Sequence, residues 1–401
     1  MPAIAFSERS NFITAFVKKI DKGGYFVLFS ILTYAIINTK YFFGGGVLDS
    51  KRVYDLLSRW YSNHFRALPW RTDATPYHVW ISEIMLQQTR IEAVMPYYRR
   101  FIDAIPDIAT LASVPEDVLL KLWEGLGYYS RARNLQKTAR LLVERYNGEL
   151  PCDYDALLSL PGIGSYTAGA IASIAFSIPV PAVDGNVMRV LARLYNNPTD
   201  VLSTVGKKRF TALAWELIPQ QDAGRFNQAL MELGETVCLP NTAPRCDICP
   251  LQSECLAFRA HTVDQLPTRI KKTKRRVEKR NVLFVRTVTD PPRLLLHRRP
   301  NTGLLAGLWE LPNTLSADPL DALEECLRDA CTLVGELPES KHLFSHIEWN
   351  MSGYLYRMDI SSALPDGYAL VTLDQLKSGY PLPSAFRTYA NLFDTLLQKE
   401  N

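Results

Sequence analysis

The sequence predicts a multidomain protein in which a large all-α domain is followed by a smaller α+β domain. Apolar residues recur at helical spacing from Lys51 to about residue 237, with no convincing alternating strand among them. After a basic stretch, the pattern changes to short β-branched or aliphatic runs around Asp290-Pro291-Pro292, a combination typical of a hairpin. A chain of 401 residues is long enough for two or three domains.

Residues 1–46 are predicted to be an N-terminal extension of these domains. Within them, 23–39 is an uncharged run of 17 residues, which is the lower limit for a membrane span, and Ser30 and Asn38 make it less apolar. We therefore expect a poorly ordered extension, with a membrane anchor as the alternative.

The domain boundaries are predicted where the pattern changes. They place a helical domain at 47–237, a cysteine-rich loop at 238–260, a basic linker at 261–280 and the α+β domain at 281–401. In the last domain we expect a helix at 318–331. We also expect strands at 281–288, 294–298, 308–311, 343–348 and 353–358.

A glycine-rich turn between two helical segments predicts an anion site. In Leu160-Pro161-Gly162-Ile163-Gly164 the proline fixes φ, and the glycines permit positive φ, so we expect a tight turn with uncovered amides. The helix that follows places its N-terminus at the same turn, which favours an anion such as one DNA phosphate. The nucleotide-binding pattern G-x-x-x-x-G-K-[ST] is absent.

Two carboxylates are candidate catalytic groups. Glu83 lies among Val79, Trp80 and Ile84, and a carboxyl group with apolar neighbours is hard to ionise, which suits a general acid. The alternative is a glutamate at a helix edge. Asp184 precedes a helix and is expected to be its N-cap, a role that still leaves an ionised oxygen free to face a cleft.

The distribution of charge along the chain favours a polyanionic partner more strongly than the net charge does. The net charge is only +4, but 269–280 holds eight basic residues and one acid. Further basic residues recur at Arg131, Arg133, Lys137 and Arg140. Beside a phosphate-binding turn, such clusters indicate contacts to a DNA backbone, although each alone is typical of a solvated face.

Four of the seven cysteines crowd into 18 positions with the spacing C-x7-C-x2-C-x5-C: Cys238, Cys246, Cys249 and Cys255. Four soft thiolates in one short loop need a cation. Zinc is chemically possible, but zinc ribbons usually use two C-x2-C pairs with a longer insert. The cysteines do not form a secreted disulfide framework, which indicates a reducing compartment.

Six segments carry a family resemblance. They are LPWR (68–71), VWISEIMLQQTR (79–90), WEGLGYYSRARNL (123–135), LPGIGSYTAGAIA (160–172), VDGNVMRVLAR (183–193) and the cysteine loop. In this order they resemble the adenine DNA glycosylases that act on adenine opposite 8-oxoguanine, the MutY family of the helix–hairpin–helix glycosylases. The resemblance covers residues 50 to about 395. It implies a [4Fe–4S] cluster on the four cysteines, although the first gap has seven residues where the family usually has six.

The resemblance also implies roles for individual residues. Glu83 would protonate adenine N7, and Asp184 would stabilise the oxocarbenium-like sugar or trap it covalently. Tyr166 and Asn186 would position Asp184 and the sugar. Tyr166 stands where bifunctional relatives carry a Schiff-base lysine, so we expect an enzyme that leaves an abasic site without efficient strand cleavage. The resemblance further implies DNA-contacting residues: Trp70 and Arg71 at the adenine pocket, Gln88 and Tyr128 as wedges in the duplex, and Gly162 and Gly164 at a phosphate.

The C-terminal domain resembles MutT (Nudix) hydrolases around 304–312, but the box that holds Mg²⁺ is broken. Asn313 stands where the first metal-binding glutamate belongs, and 324–329 does not restore the motif. The resemblance implies instead that this domain recognises 8-oxoguanine through Phe344, Ser345 and His346, with the serine hydrogen-bonding the lesion.

Three other functions are less consistent with these residues. Tyr166 opposes a DNA lyase, the presence of both carboxylates opposes a non-catalytic lesion-binding protein, and the broken box opposes a nucleotide-pool hydrolase. We expect a monomer whose partner is double-stranded DNA with 8-oxoguanine:adenine mispairs, without a clear protein-partner motif. In a bacterium it would be cytoplasmic and nucleoid-associated.

Overall fold

The computed structural model describes residues 48–270, 275–359 and 363–398. The predicted N-terminal extension, with its membrane-anchor alternative, lies outside this range. Within the described residues, no helix is both long and apolar enough to cross a membrane.

Helices build the part of the chain up to the cysteine loop. Local capping explains several of their starts, since Asp49, Thr75, Asp107, Asp153 and Ser203 each accept a backbone N–H three residues ahead. The helices are α1 Ser50–His64, α2 Pro69–Thr72, α3 Pro76–Leu86, α4 Ile91–Ala104, α5 Ile108–Ser113, α6 Glu116–Leu122, α7 Ser130–Arg145, α8 Tyr154–Leu158, α9 Ser165–Ile174, α10 Gly185–Leu194, α11 Thr204–Leu217 and α12 Ala223–Thr236.

These helices pack around two hydrophobic cores. One is formed mainly by residues 68–180, including the buried Trp80, Phe101 and Trp123. The other joins α1 to α10, α11 and α12 through residues such as Leu57 and Phe210. The cleft described below is lined from both cores, so the packing of two helical layers creates it.

The glycine-rich turn is tight, but only one of its glycines needs positive φ. Gly162 has φ +74, and a Cβ there would stand 2.7 Å from the Asn134 Cβ. Gly164 has φ −90 and is the N-cap of α9, with open space where a Cβ would lie. The expectation of positive φ therefore holds at Gly162 alone, because α9 begins directly after Gly164 and needs an extended cap.

The C-terminal part is a mixed sheet with the strand order β3 (Trp309–Glu310), β2 (Leu294–Arg298), β1 (Arg276–Thr287), β6 (Ile347–Met358) and β5 (Cys331–Leu343). Its centre is the parallel pair β1 and β6, and β1 also pairs antiparallel with β2, which is the predicted hairpin. The elements after the cysteine loop are α13 Leu256–Arg259, β1 Arg276–Thr287, β2 Leu294–Arg298, β3 Trp309–Glu310, β4 Asn313–Thr314, α14 Glu325–Arg328, β5 Cys331–Leu343, β6 Ile347–Met358, β7 Tyr368–Val371, α15 Leu373–Gly379 and α16 Arg387–Gln398.

Two sequence expectations in this sheet were wrong. The strand expected at 343–348 is the turn between β5 and β6, because Leu343 ends one strand and Ile347 begins the next. The helix expected at 318–331 is reduced to a 3₁₀ turn and α14, since Cys331 already begins β5 and pairs with Met358. Cross-strand pairing thus replaced a helix that local composition favoured.

The first strand also begins inside the stretch predicted as a basic linker. Arg276 pairs with Ile347 of β6, five residues before the expected start of the domain. Arg276 and Arg280 flank the buried Glu278 and form ion pairs with it. These basic residues therefore neutralise a buried carboxylate.

The sheet domain contacts the helical domain near α6. Lys121 Nζ donates to the carbonyl oxygen of Leu376 at 2.9 Å. The Glu124 carboxylate accepts the backbone N–H of Leu382 at 2.7 Å. Leu308 belongs to the hydrophobic core of the helical domain. These contacts bring the turn between β5 and β6 close to Tyr128.

Candidate active site

A cleft of about 750 Å³ collects most of the predicted catalytic and adenine-pocket residues. Its walls come from α2, α3, α4, α9, α10 and α12, several of which are distant in the sequence. The lining includes Trp70, Arg71, Glu83, Gln88, Tyr166, Asp184 and Asn186. The hairpin glycines and the Phe344-Ser345-His346 turn are not among its lining residues.

Glu83 lies in α3 and is only 6% exposed. Tyr166, from α9, donates its hydroxyl proton to Glu83 Oε2. Burial raises the pKa of Glu83 to about 7; the Tyr166 hydrogen bond and Arg71 oppose this rise, and Asp184 adds to it. Glu83 is thus a carboxyl group that can carry a proton near neutral pH.

Asp184 is the N-cap of α10, as the sequence predicts. Its Oδ1 accepts the Val187 backbone N–H at 2.7 Å, and its Oδ2 accepts the Asn186 side-chain N–H at 2.9 Å. Burial raises the pKa of Asp184 above its usual value, and these hydrogen bonds offset only part of that rise. The positive end of the α10 dipole also favours the anion.

The two carboxyl groups therefore have different surroundings in one cleft. Glu83 receives one phenolic hydrogen bond in an apolar pocket, whereas Asp184 receives two N–H donors at a helix N-terminus. The first arrangement favours the neutral acid and the second favours the anion. Such a pair can protonate a leaving group and stabilise a neighbouring positive charge.

A buried ion network, which sequence reasoning missed, lies beneath Arg71. Glu232 of α12 is 1% exposed in its side chain and pairs with Arg71 Nη1 at 2.8 Å and Arg66 Nε at 2.5 Å. Arg66 also reaches Glu235 at 2.6 Å. A glutamate inside an apolar helix face was the available signal. Its arginine partners, more than 150 positions away, leave no local trace in the sequence.

The predicted wedge residues are both exposed and both have left-handed backbones. Gln88 has φ +61 and Tyr128 has φ +48. Gln88 lies at the cleft, and the Tyr128 hydroxyl shares a hydrogen bond with Ser345 Oγ at 2.5 Å. The structure therefore brings a predicted lesion-reading serine against a predicted wedge residue from the other domain.

The remaining predicted DNA contacts are placed as follows. Trp70 is 4% exposed and packs edge-on against Tyr98, so only its margin reaches the cleft. Phe344 packs against Trp349 at a ring-centroid separation of 4.9 Å, while Ser345 and His346 are exposed in the turn. The serine and histidine are thus available to a ligand.

The expected basic stripe on α7 needs correction. Arg131 is 8% exposed and donates only to backbone carbonyls, so it cannot be a DNA backbone contact. Arg133 forms an ion pair with Glu116 at 2.8 Å. Helical spacing predicts a shared face for these residues, but only tertiary packing decides which of them reach solvent.

The four clustered cysteines line one pocket below α10 and α12, together with Arg193 and Leu251. Among the described residues, no three His, Cys, Asp or Glu side chains form a group suited to a metal ion. Burial raises the pKa of Cys249 to about 12 and also raises those of Cys246 and Cys255. Four thiols that share an apolar pocket fit a polynuclear iron–sulfur cluster, whose charge would favour their thiolates.

Hydrogen bonds connect this cysteine loop with the cleft. Arg193 Nη1 donates to Cys238 Sγ at 3.2 Å, and Arg189 Nε donates to the Cys238 carbonyl at 2.7 Å. Arg189 Nη2 also donates to Asn186 Oδ1 at 2.8 Å. Because Asn186 in turn donates to Asp184, the loop is connected with the capping aspartate through two side chains.

In the C-terminal domain, hydrogen bonds within the protein occupy the Asn313 side chain, which stands where the sequence lacks a glutamate. Asn313 Oδ1 accepts from Arg280 at 2.7 Å, and its Nδ2 donates to the Leu311 carbonyl at 2.8 Å. The amide is thus committed to holding β4 against β1.

Two family models match the two parts of this architecture. A model described as "HhH-GPD superfamily base excision DNA repair protein" matches residues 81–220, and a NUDIX domain model matches residues 283–392. The chain is 36% identical over 300 residues to the adenine DNA glycosylase of Buchnera aphidicola subsp. Baizongia pistaciae, covering 73% of this chain and 83% of that protein. It is 37% identical over 381 residues to the adenine DNA glycosylase of Mus musculus, covering 80% and 74%. A solved thermostable thymine-DNA glycosylase aligns at 28% identity with a TM-score of 0.49, covering 53% of this chain and 97% of that one.

The helical fold around the hairpin and the cleft with its two carboxyl groups define a helix–hairpin–helix DNA glycosylase of base excision repair. The sequence identities of 36% and 37% to these relatives define its family more narrowly. The chain belongs to the adenine DNA glycosylase family, and it carries a C-terminal Nudix-like domain.

Proposed function

We propose that this glycosylase hydrolyses the N-glycosidic bond of adenine paired with 8-oxoguanine and leaves an abasic site. The observation that carries the proposal is the pair of carboxyl groups in one cleft: the buried Glu83 held by a phenol, and the partly buried Asp184 held by two N–H donors.

Glu83 supplies the proton in the proposed mechanism. The extruded adenine receives it at N7, the C1′–N9 bond breaks, and the bonding electrons leave with the base. Asp184 stabilises the cationic sugar as an anion. Water then adds to C1′ and releases its proton to the Glu83 carboxylate, which restores the acid. Tyr166 supplies no amine, so imine formation and strand cleavage are not part of the cycle.

The rate of excision is expected to fall as pH rises through about 7, because the acid works only while Glu83 is protonated and burial raises its pKa to about 7. Tyr166→Phe removes the hydrogen bond that lowers this pKa, so the falling limb should move to higher pH. Single-turnover rates between pH 6 and 9 measure the falling limb of the wild type and that of Tyr166→Phe. A profile that stays flat, or moves to lower pH in the variant, contradicts Glu83 as the acid.

The C-terminal domain is proposed to recognise 8-oxoguanine through Ser345. Single-turnover excision should be compared on duplexes with adenine opposite 8-oxoguanine or guanine, quenched with and without hot alkali. Ser345→Ala should reduce the preference for 8-oxoguanine roughly 2- to 10-fold, the effect of one hydrogen bond. Tyr128→Phe is the matched control, since it removes the bond to Ser345 but keeps the serine hydroxyl. An unchanged preference in Ser345→Ala would exclude a role of Ser345 in recognising 8-oxoguanine.

The same assay tests the class of enzyme. Strand breaks that form without alkali would indicate a lyase.

The four clustered cysteines are proposed to hold a [4Fe–4S] cluster, which when bound would cross-link the loop and help to position DNA. We expect about four irons per chain and visible absorption from the cluster. Cys249→Ser should lower the iron content and the visible absorption, and it should reduce the melting temperature. Cys152→Ser alters an exposed cysteine outside the loop and should change neither. Stoichiometric zinc without iron in the protein purified anaerobically would contradict the cluster.

A further inference from the structure

One buried guanidinium group joins the two predicted wedge turns. Arg131 lies at the start of α7 and is 8% exposed. Its Nη1 donates to the carbonyl oxygens of Ile84, Met85 and Gln87 at 2.6, 3.1 and 2.9 Å. Its Nη2 donates to those of Leu126 and Gly127, both at 3.1 Å.

The first three carbonyls belong to the C-terminal end of α3, the helix that carries Glu83. The last carbonyls of a helix lack intrahelical partners, and a basic side chain often binds them. The last turn of α3 contains no basic residue of its own. Arg131 of α7 supplies this missing group from a distance of more than 40 positions in the sequence.

Each wedge residue directly follows a carbonyl that Arg131 holds. Gln88 follows Gln87, and Tyr128 follows Gly127. Both wedge residues have positive φ, a conformation that is strained for a non-glycine residue and persists only when its surroundings impose it. The guanidinium also lies 5.6 Å from the Tyr128 ring centroid, within cation–π range.

We propose that Arg131 is a positioning residue for base extrusion, which holds the Gln88 and Tyr128 turns at a set separation so that both enter the duplex together. Its five planar N–H donors suit this role because no other side chain can bind carbonyls from two turns with a rigid group. The inference rests on the proposed function, since it assigns the turns to the extrusion of adenine. Arg131 itself does not contact the DNA, and it acts through Gln88 and Tyr128.

The test separates positioning from folding. Arg131→Lys keeps the charge and one or two hydrogen bonds, and Arg131→Gln removes the charge. Arg145→Lys is the matched control, because Arg145 ends the same helix, is exposed and pairs with its neighbour Glu144 at 3.7 Å. The burst amplitude of single-turnover excision counts active molecules, and the rate constant reports each molecule's competence. In a Glu83→Gln background, 2-aminopurine in place of the adenine reports extrusion by its fluorescence.

We expect both Arg131 variants to lower the rate constant roughly 10- to 100-fold, as misplaced groups do, and to reduce the fluorescence rise per bound enzyme. The pH midpoint should stay in place, because Arg131 is not among the groups that shift the Glu83 pKa. A loss of amplitude alone, with normal rate constant and fluorescence, would overturn the inference. A wild-type protein that extrudes 2-aminopurine but never excises adenine would refute the proposed function instead, and the fluorescence would still test Arg131.

Discussion

Glu83→Gln is expected to lower single-turnover adenine excision by about 10²–10⁴-fold, the contribution typical of a positioned general acid. Glutamine has nearly the size of glutamate and can still accept the hydrogen bond from Tyr166, but it has no acidic proton. Because the carboxyl group is buried in an apolar pocket, water cannot readily replace it as the proton donor. The measurement is the rate of alkali-labile strand breaks at saturating enzyme.

Glu92→Gln is the matched control for this prediction, since Glu92 lines the same cleft but is exposed to solvent. We expect its rate to stay within a few-fold of wild type, as is usual for a solvated side chain away from the chemistry. Binding of the lesion duplex by Glu83→Gln should persist. Retained excision by Glu83→Gln, together with a loss of excision in Glu92→Gln, would indicate that Glu92 is the acid and not Glu83.

Asp184→Asn is expected to reduce excision by roughly 10²–10³-fold with little change in melting temperature. Asparagine is as good an N-cap as aspartate, so the bond to the Val187 N–H and the start of α10 should survive. The substitution removes the negative charge that faces the developing cation, and it also removes the acceptor for the Asn186 side-chain N–H, because an amide nitrogen only donates. Both the excision rate and the melting curve must be measured, because the prediction is a large loss of rate with little loss of stability.

Asp153→Asn provides the comparison, because Asp153 caps α8 through the Ala156 N–H at 2.7 Å and is exposed. It shares the capping role of Asp184 but lies outside the cleft, so its excision rate should be that of wild type. A large drop in the melting temperature of Asp184→Asn would indicate that the aspartate acts mainly as a cap. Normal excision by Asp184→Asn would exclude its electrostatic role.

Features that depend on neighbours in the sequence could be predicted. The cap at Asp184 joins residues three positions apart, and the tight turn at Gly162 follows from local backbone chemistry. The shift from helical periodicity to short strands likewise predicts the change from helices to a sheet. The exceptions are the elements at 318–331 and 343–348, where the pairing of β5 with β6 competes with local preference.

The sequence by itself determined the two candidate carboxylates, the spacing of the cysteines and the division into a helical and a mixed domain, because these follow from residue identity and short-range order. Only the tertiary structure decided which charges are buried. Tyr166 meets Glu83 across 83 positions, and Glu232 neutralises Arg71 from a different helix. Arg131 looked like a surface cation and is a buried link between two turns, since burial and partner choice depend on the packing of distant helices, which no local pattern records.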